Sequence, residues 1–251
     1  MSLKDKLKVV LNGIIIPSII YIFITIVVAV FVTIISNDDK VNLMLVQGIV
    51  NIFLLIALVP LYIRFRKKYS IESNKLDFKN IIYIIAISFS LCIICNILIS
   101  FIPREADNIV SKSITDLNSK YNIYISLVIV SIIVPLIEEI FFRGFVFDTV
   151  KIISNNIFAI LISSLFFGIV HSDFQQMLYA FVVGLMLAYI RCKFNSIVYP
   201  IIMHALMNLI SLALISDINL LRDYKSVMFT MFISICILAF SLIRININHN
   251  S

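Results

Sequence analysis

The stretch VPLIEEIFFRG, at residues 134–144, places three charged residues, Glu138, Glu139 and Arg143, inside an otherwise apolar run. The run extends from about 123 to 149, which is long enough for a tilted membrane helix. An unpaired carboxylate near the centre of a bilayer costs roughly 2.5 to 3.5 kcal/mol. The charges therefore either mark a helix end among the lipid head groups or have partners inside the protein.

The composition of the whole chain is that of an integral membrane protein. Of its 251 residues, 61% are hydrophobic and 14% are charged, whereas soluble domains contain far more charge. Apolar runs fall at about 9–35, 41–63, 81–102, 123–149, 157–171, 174–190, 196–216 and 226–243. At about 20 residues per span, the sequence predicts one all-α, polytopic membrane domain over 1–251. We expect about eight transmembrane helices with a buried polar active site.

The net charge of +6 comes from basic residues in the short segments between apolar runs. That position is typical of membrane orientation and argues against nucleic acid as a partner. RFRKKY at 64–69 favours a cytoplasmic loop, and Arg191 counts among the same inner-loop charges. We therefore predict a multi-pass protein of a cell membrane with cytoplasmic termini and with lipids as neighbours. The polar segment 103–122 is expected to form an amphipathic helix on the outer face.

Glu139 and Arg143 are spaced i and i+4 with the acid first, so they can neutralise each other across one helical turn. Glu138 points about 100° away from Glu139 and has no local partner. Apolar sequence continues beyond Arg143 as GFVF, which favours a helix reaching about Val150 and a position for Glu138 deep in the membrane.

Two further motifs carry ionisable or amide groups in apolar runs. FFGIVH contains Phe167 and His171, and HALMN contains His204 and Asn208, each pair at i and i+4 and so on one helix face. A lone histidine in a membrane helix usually hydrogen-bonds a neighbouring helix. Counting about 1.5 Å of rise per residue from the inner ends of the helices, however, gives Glu138 and the two histidines similar depths.

Such a set of groups fits amide hydrolysis. Glu138 could take a proton from water, His171 could position that water, and His204 and Asn208 could donate hydrogen bonds to the oxyanion. Glu138, His171 and His204 could instead hold zinc with an open position. The compact HExxH arrangement is absent, and the choice between no cofactor and zinc stays open, with a metal-independent glutamate favoured.

The three motifs resemble those of the CPBP family, which comprises CAAX prenyl endopeptidases and bacteriocin-processing enzymes and includes proteins of lysostaphin resistance. The family patterns EExxxR, FxxxH and HxxxN occur in this order as EEIFFR, FGIVH and HALMN, within a core at 123–212. The resemblance implies that Glu138 and His171 activate water and that His204 and Asn208 form the oxyanion hole. It also implies that Glu139, Arg143 and Phe167 support them, and it leaves the metal open.

The sequence therefore predicts an intramembrane endopeptidase acting on a membrane-associated peptide or protein. The composition, rich in Ile, Asn and Lys, suggests a bacterial source, in which similar proteins are associated with peptide maturation or bacteriocin self-immunity. The alternatives are a non-catalytic immunity or scaffold protein that binds a peptide and, with less support, a transporter. The oligomeric state is not predicted.

Overall fold

The computed structural model describes residues 1–35, 43–102, 127–171, 173–215 and 224–248. These residues form helices and short connections, with no strand among them. In chain order the helices are α1 (3–35), α2 (Leu43–Lys68), α3 (Phe78–Ser100), α4 (129–153), α5 (Asn156–Ile169), α6 (Phe174–Phe194), α7 (Val198–Ile215) and α8 (Tyr224–Asn248). The all-α prediction is confirmed, while the predicted amphipathic helix at 103–122 lies outside the described residues.

Five of the described helices are long and apolar enough to cross a membrane, namely α1, α2, α3, α6 and α8. Helices α5 and α7 are apolar but shorter. Helix α4 is not among the five, and its charged residues are Glu138, Glu139, Arg143, Asp148 and Lys151. The polytopic character is thus confirmed, and a total of eight crossings stays a prediction.

Helix α4 is the packing centre of the molecule. It contacts α1 and α2 on one side and α5, α6 and α7 on the other, whereas α3 and α8 pack together beyond α7. The apolar side chains that separate α4 from α1 and α2 include Leu54, Leu58 and Phe145, each at most 1% exposed. Any polar group on the inner faces of α4 is therefore surrounded by protein rather than by lipid.

The outward faces of α1 and α8 are apolar. Both helices bury little of their surface, and they expose large side chains such as Ile22, Phe23, Phe229 and Phe232. Exposed apolar surface of this extent is unstable in water but matches a hydrocarbon solvent.

Many of the basic residues that the structure describes lie at one end of the bundle. Two hydrogen bonds join the start of α1 to the end of α2, from Lys68 Nζ to Asn12 Oδ1 at 3.2 Å and from Tyr69 Oη to the Lys8 carbonyl at 3.2 Å. Asn195, after α6, accepts a bond from Lys151 Nζ at the end of α4. The basic residues at this end are Lys4, Lys6, Lys8, Arg64, Arg66, Lys67, Lys68, Lys75, Lys151 and Lys193.

Small residues allow α5 and α6 to lie close together. Ser164 and Gly168 on α5 face Ala180 and Gly184 on α6, and all four are buried. A β-carbon added at Gly168 would lie 3.1 Å from the Met177 carbonyl oxygen. This spacing of small residues is the usual means of close helix contact in membranes, where lipid tails are as apolar as the side chains.

A buried ion pair links α4 to α6 near the basic end. Arg191 Nη2 lies 2.6 Å from Asp148 Oδ1, and both side chains are at most 2% exposed. Tyr62 of α2 donates its hydroxyl to Asp148 Oδ2 at 2.9 Å. The interpretation of Arg191 as an inner-loop charge was therefore wrong. Its side chain lies inside the bundle, because the buried Asp148 carboxylate provides a partner there.

We expect Arg191→Ala to destabilise the protein by about 3 to 5 kcal/mol, because it leaves the Asp148 carboxylate buried without a cation. Thermal unfolding in detergent micelles measures the effect. The control Arg64→Ala removes an exposed arginine of α2 and should change stability by less than about 0.5 kcal/mol. Equal melting temperatures for the two variants would show that the buried pair contributes nothing.

Candidate active site

The backbone of α4 departs from regular α-helix around the charged residues. Segments Ile129–Ile133 and Ile140–Val146 are π-helical and flank a short α-helical piece, Val134–Glu139. Short π-helical segments occur often at functional sites. Gly144, in the second segment, lets the Tyr62 ring approach, since an added β-carbon would lie 2.9 Å from that ring.

A single carboxylate oxygen of Glu139 joins two partners. Arg143 Nη1 and His204 Nδ1 each lie 2.8 Å from Glu139 Oε1, and Glu139 and Arg143 are fully buried. The predicted pairing of Glu139 with Arg143 is confirmed. The link to His204 was not predicted, because it joins α4 to α7 and cannot be read from spacing within one helix.

The bond to Glu139 fixes the protonation of one nitrogen of His204. An ionised carboxylate only accepts hydrogen bonds, so His204 Nδ1 carries a hydrogen and donates it. The other nitrogen, Nε2, lies 3.6 Å from Glu138 Oε2. This distance is too long for a hydrogen bond, and it leaves both atoms able to contact one small polar group.

Glu138 and Glu139 differ in their access to the surroundings. The Glu138 side chain is 21% exposed, whereas that of Glu139 is 0% exposed. Of the two glutamates, Glu138 is thus the one that an incoming molecule can reach.

The Phe167 ring separates the two histidines. It makes edge contacts with His171 and His204, at centroid distances of 5.2 Å and 5.5 Å. The Arg143 guanidinium lies 4.4 Å from the centroid of the same ring, a favourable cation–π distance. Phe167 therefore contacts side chains of α4 and α7 and the histidine that follows α5, and its supporting role stays a prediction.

His171 lies just beyond the end of α5 and caps it. Its backbone N–H donates to the Gly168 carbonyl at 3.0 Å instead of to that of Phe167. The Phe167 carbonyl is then 2.8 Å from His171 Nδ1, and because a carbonyl only accepts, Nδ1 carries the hydrogen. In the neutral ring, Nε2 is left as an acceptor.

Asn208 lies one turn beyond His204 on α7, as its spacing predicted. Its Nδ2 donates to the backbone carbonyl of Val130 on α4, at 2.9 Å. One of the two amide hydrogens is therefore engaged with the protein, and the second is available to another acceptor.

Arg143 also binds α6. Its Nη2 donates to the Gly184 carbonyl at 3.1 Å, and a β-carbon added at Gly184 would lie 3.2 Å from Nη2 and 3.2 Å from the Phe167 ring. Sequence reasoning did not identify Gly184. The small-residue spacing with Ala180 and Ala188 is the signal that could have indicated a close helix contact there.

The predicted zinc ligands do not form a ligand cluster. Across the described ranges, no three His, Cys, Asp or Glu side chains are close enough together to hold a metal ion. His204 Nδ1 is engaged by Glu139, and His171 Nδ1 is engaged by the Phe167 carbonyl, so only Nε2 of each imidazole could serve as a ligand. The nearest carboxylate oxygen to His204 Nε2, Glu138 Oε2, lies 3.6 Å away. The residues as they lie do not fit a metal, and no catalytic step is derived through one.

Comparison with known proteins agrees with the motifs. Residues 120–210 match the family model described as type II CAAX prenyl endopeptidase Rce1-like, a range that contains all three motifs. The match covers the part of the chain that carries the motifs and supports a protein of the CPBP family. No solved structure shows a significant match.

Two bacterial proteins with curated names are similar to this chain. The "Putative membrane peptidase YdiL" of Bacillus subtilis (strain 168) is 33% identical over 123 residues, which cover 49% of this chain and 48% of that protein. The "UPF0177 protein YxdF" of Lactococcus lactis subsp. lactis (strain IL1403) is 29% identical over 138 residues, or 53% of this chain and 76% of that protein. The chain thus spans about half the length of the first relative.

We expect Gly184→Val to destabilise the protein by about 1 to 3 kcal/mol, because the added atoms crowd the Arg143 guanidinium and the Phe167 ring. Gly184→Ala should have a smaller effect in the same direction. Thermal unfolding measures both variants. Val182→Ile adds bulk to the exposed side of the same helix and serves as the control, and an equal loss in that variant would contradict the close contact.

Proposed function

We propose that this protein is an intramembrane endopeptidase that hydrolyses a peptide bond with a glutamate-activated water. The match to the Rce1-like family model and the name of the B. subtilis relative support a membrane protease in general. The observation that carries the mechanism is the pairing of an oriented His204 with a partly exposed Glu138 across 3.6 Å.

The proposal assigns a hydrogen to each ring nitrogen of His204. Because Nδ1 donates to Glu139, a donor on Nε2 requires the imidazolium form, which lies between the Glu138 and Glu139 carboxylates. His204 Nε2–H then becomes a donor aimed towards the space beside Glu138, which is where an oxyanion needs one.

Glu138 and His171 activate and orient the attacking water in this proposal. His171 Nε2 is an acceptor in the neutral ring and can orient one hydrogen of the water, while the Glu138 carboxylate takes the other. The water oxygen forms a bond to the peptide carbonyl carbon as its proton passes to Glu138. The carbonyl oxygen becomes an oxyanion, which accepts hydrogen bonds from His204 Nε2–H and the second Nδ2–H of Asn208.

Collapse of the tetrahedral intermediate completes the reaction. The carbonyl re-forms, the C–N bond breaks, and Glu138 returns its proton to the departing amine nitrogen. Glu139 and Arg143 do not touch the substrate in this scheme. They are positioning residues that hold His204 in the orientation and protonation state that the oxyanion requires.

We propose a membrane-associated peptide or protein as substrate, since the candidate site lies among membrane helices. Peptide maturation and bacteriocin self-immunity are the roles that we propose for such cleavage. We also propose a bacterial cell membrane as the location, with both termini in the cytoplasm. The basic end formed by the start of α1 and the ends of α2, α4 and α6 supports this orientation.

We expect Glu138→Gln to lower kcat by about 10³-fold, because the amide cannot take the proton from water. Cleavage of a candidate membrane peptide by purified protein in micelles or liposomes is the measurement. Glu72→Gln changes an exposed glutamate and should retain full activity. Full cleavage by folded Glu138→Gln protein would rule out this mechanism, whereas retained peptide binding without any cleavage by the native protein would favour the non-catalytic alternative.

We expect the activity to persist after dialysis against a chelator, because the donors as they lie do not form a metal cluster. Elemental analysis of the active protein, before and after chelation, is the parallel measurement. Stoichiometric zinc, together with loss of activity on its removal and recovery on its return, would instead assign Glu138, His171 and His204 as ligands.

A further inference from the structure

The first π-helical segment of α4 leaves one backbone carbonyl without a donor from its own helix. In a regular α-helix the Val134 N–H would bind the Val130 carbonyl. Here the Val134 N–H donates to the carbonyl of Ile129 instead. In this register the next donor in line for Val130 is residue 135, which is a proline and has no N–H.

Asn208 supplies the missing donor. Its Nδ2 lies 2.9 Å from the Val130 oxygen, and the bond joins α7 to α4. Since the carboxamide is planar, fixing one N–H on Val130 also fixes the direction of the other. A proline three residues before Glu138 therefore determines how a side chain on another helix is oriented.

We propose that Pro135 is a positioning residue for Asn208, acting through the carbonyl of Val130. The proposal rests on the proposed function, in which the second N–H of Asn208 stabilises the oxyanion. Pro135 itself is buried in the helix that carries both glutamates. Because it has no backbone N–H, it leaves the Val130 carbonyl free to accept from Asn208.

Pro135→Ala should weaken this arrangement. The alanine N–H can donate to Val130 in the π register, or the segment can shorten to an α-helix in which residue 134 donates. Either change gives the carbonyl a local donor that competes with Asn208. The Asn208 amide then loses its fixed direction, although no atom of the candidate catalytic groups has been altered.

A double-mutant cycle on cleavage kinetics tests the link. We expect Asn208→Ala to lower kcat about 100-fold, as loss of one oxyanion donor does, and Pro135→Ala to lower it about 10-fold with KM nearly unchanged. The double variant should match Asn208→Ala alone, because Pro135 acts only through Asn208. Multiplied losses of about 1000-fold would overturn the proposal, as would an unchanged kcat in Pro135→Ala.

The same cycle on melting temperature needs no cleavage. In the native background, Asn208→Ala leaves the Val130 carbonyl unpaired, whereas in the Pro135→Ala background residue 135 or 134 can still donate to it. Asn208→Ala should therefore lower Tm more in the native background than in the Pro135→Ala background. Additive Tm shifts would overturn the proposal. If the native protein cleaves no peptide, the proposed function fails, while the Tm cycle still decides whether Pro135 orients Asn208.

Two further variants control the experiment. Pro60 also lies inside a helix, α2, but is exposed, so Pro60→Ala tests the loss of a helix proline away from Asn208 and should show no coupling to Asn208→Ala. Pro135→Ser restores a backbone N–H with a different side chain and should reproduce the effect of Pro135→Ala. Coupling in the Pro60 variant, or a different result for Pro135→Ser, would count against the proposal.

Discussion

The fold and the candidate site both depend on the buried carboxylate oxygen of Glu139 that accepts from Arg143 and His204. This atom joins α4 to α7. Arg143 also joins α4 to α6, because its Nη2 donates to the Gly184 carbonyl. Removal of any one partner leaves a charge or a donor in apolar surroundings, which costs more than the contact itself contributes. The three helices are therefore fixed together at the level of the site.

The two adjacent glutamates differ because one is fully buried with two charged or polar partners and the other is partly exposed. Glu139 is enclosed and paired, so its charge is used for structure and for the orientation of His204. Glu138 is 21% exposed and faces an imidazole at a distance that leaves room for a reacting group. Because both lie on one helix, a single backbone segment supplies a buried carboxylate and an accessible one about 100° apart.

The parts of this arrangement that were predictable from sequence are those set within one helix. Apolar runs indicated the helices, and i, i+4 spacing predicted both the Glu139–Arg143 pair and the shared faces of the other motifs. The bond from His204 to Glu139 and the bond from Asn208 to a backbone carbonyl depend on how helices are rotated against each other, which spacing does not determine. Arg191 was misassigned for the same reason, since its partner Asp148 lies on another helix, and the π-helical segments of α4 leave no periodic signal in an apolar run.

Two polar links between α4 and α6 show how register is determined where lipid weakens the hydrophobic effect between helices. Arg143 binds the Gly184 carbonyl and Arg191 binds Asp148, so the two helices run in the same direction. The linked positions are about 7.5 Å apart along α4 and 10.5 Å apart along α6 at 1.5 Å per residue, and the long Arg191 side chain spans the difference. A slip of one helical turn would break both links at once and separate the buried charges of Asp148 and Arg191. These polar links therefore determine the register of α4 against α6, while the bond from His204 to Glu139 determines how α7 lies against the same part of α4.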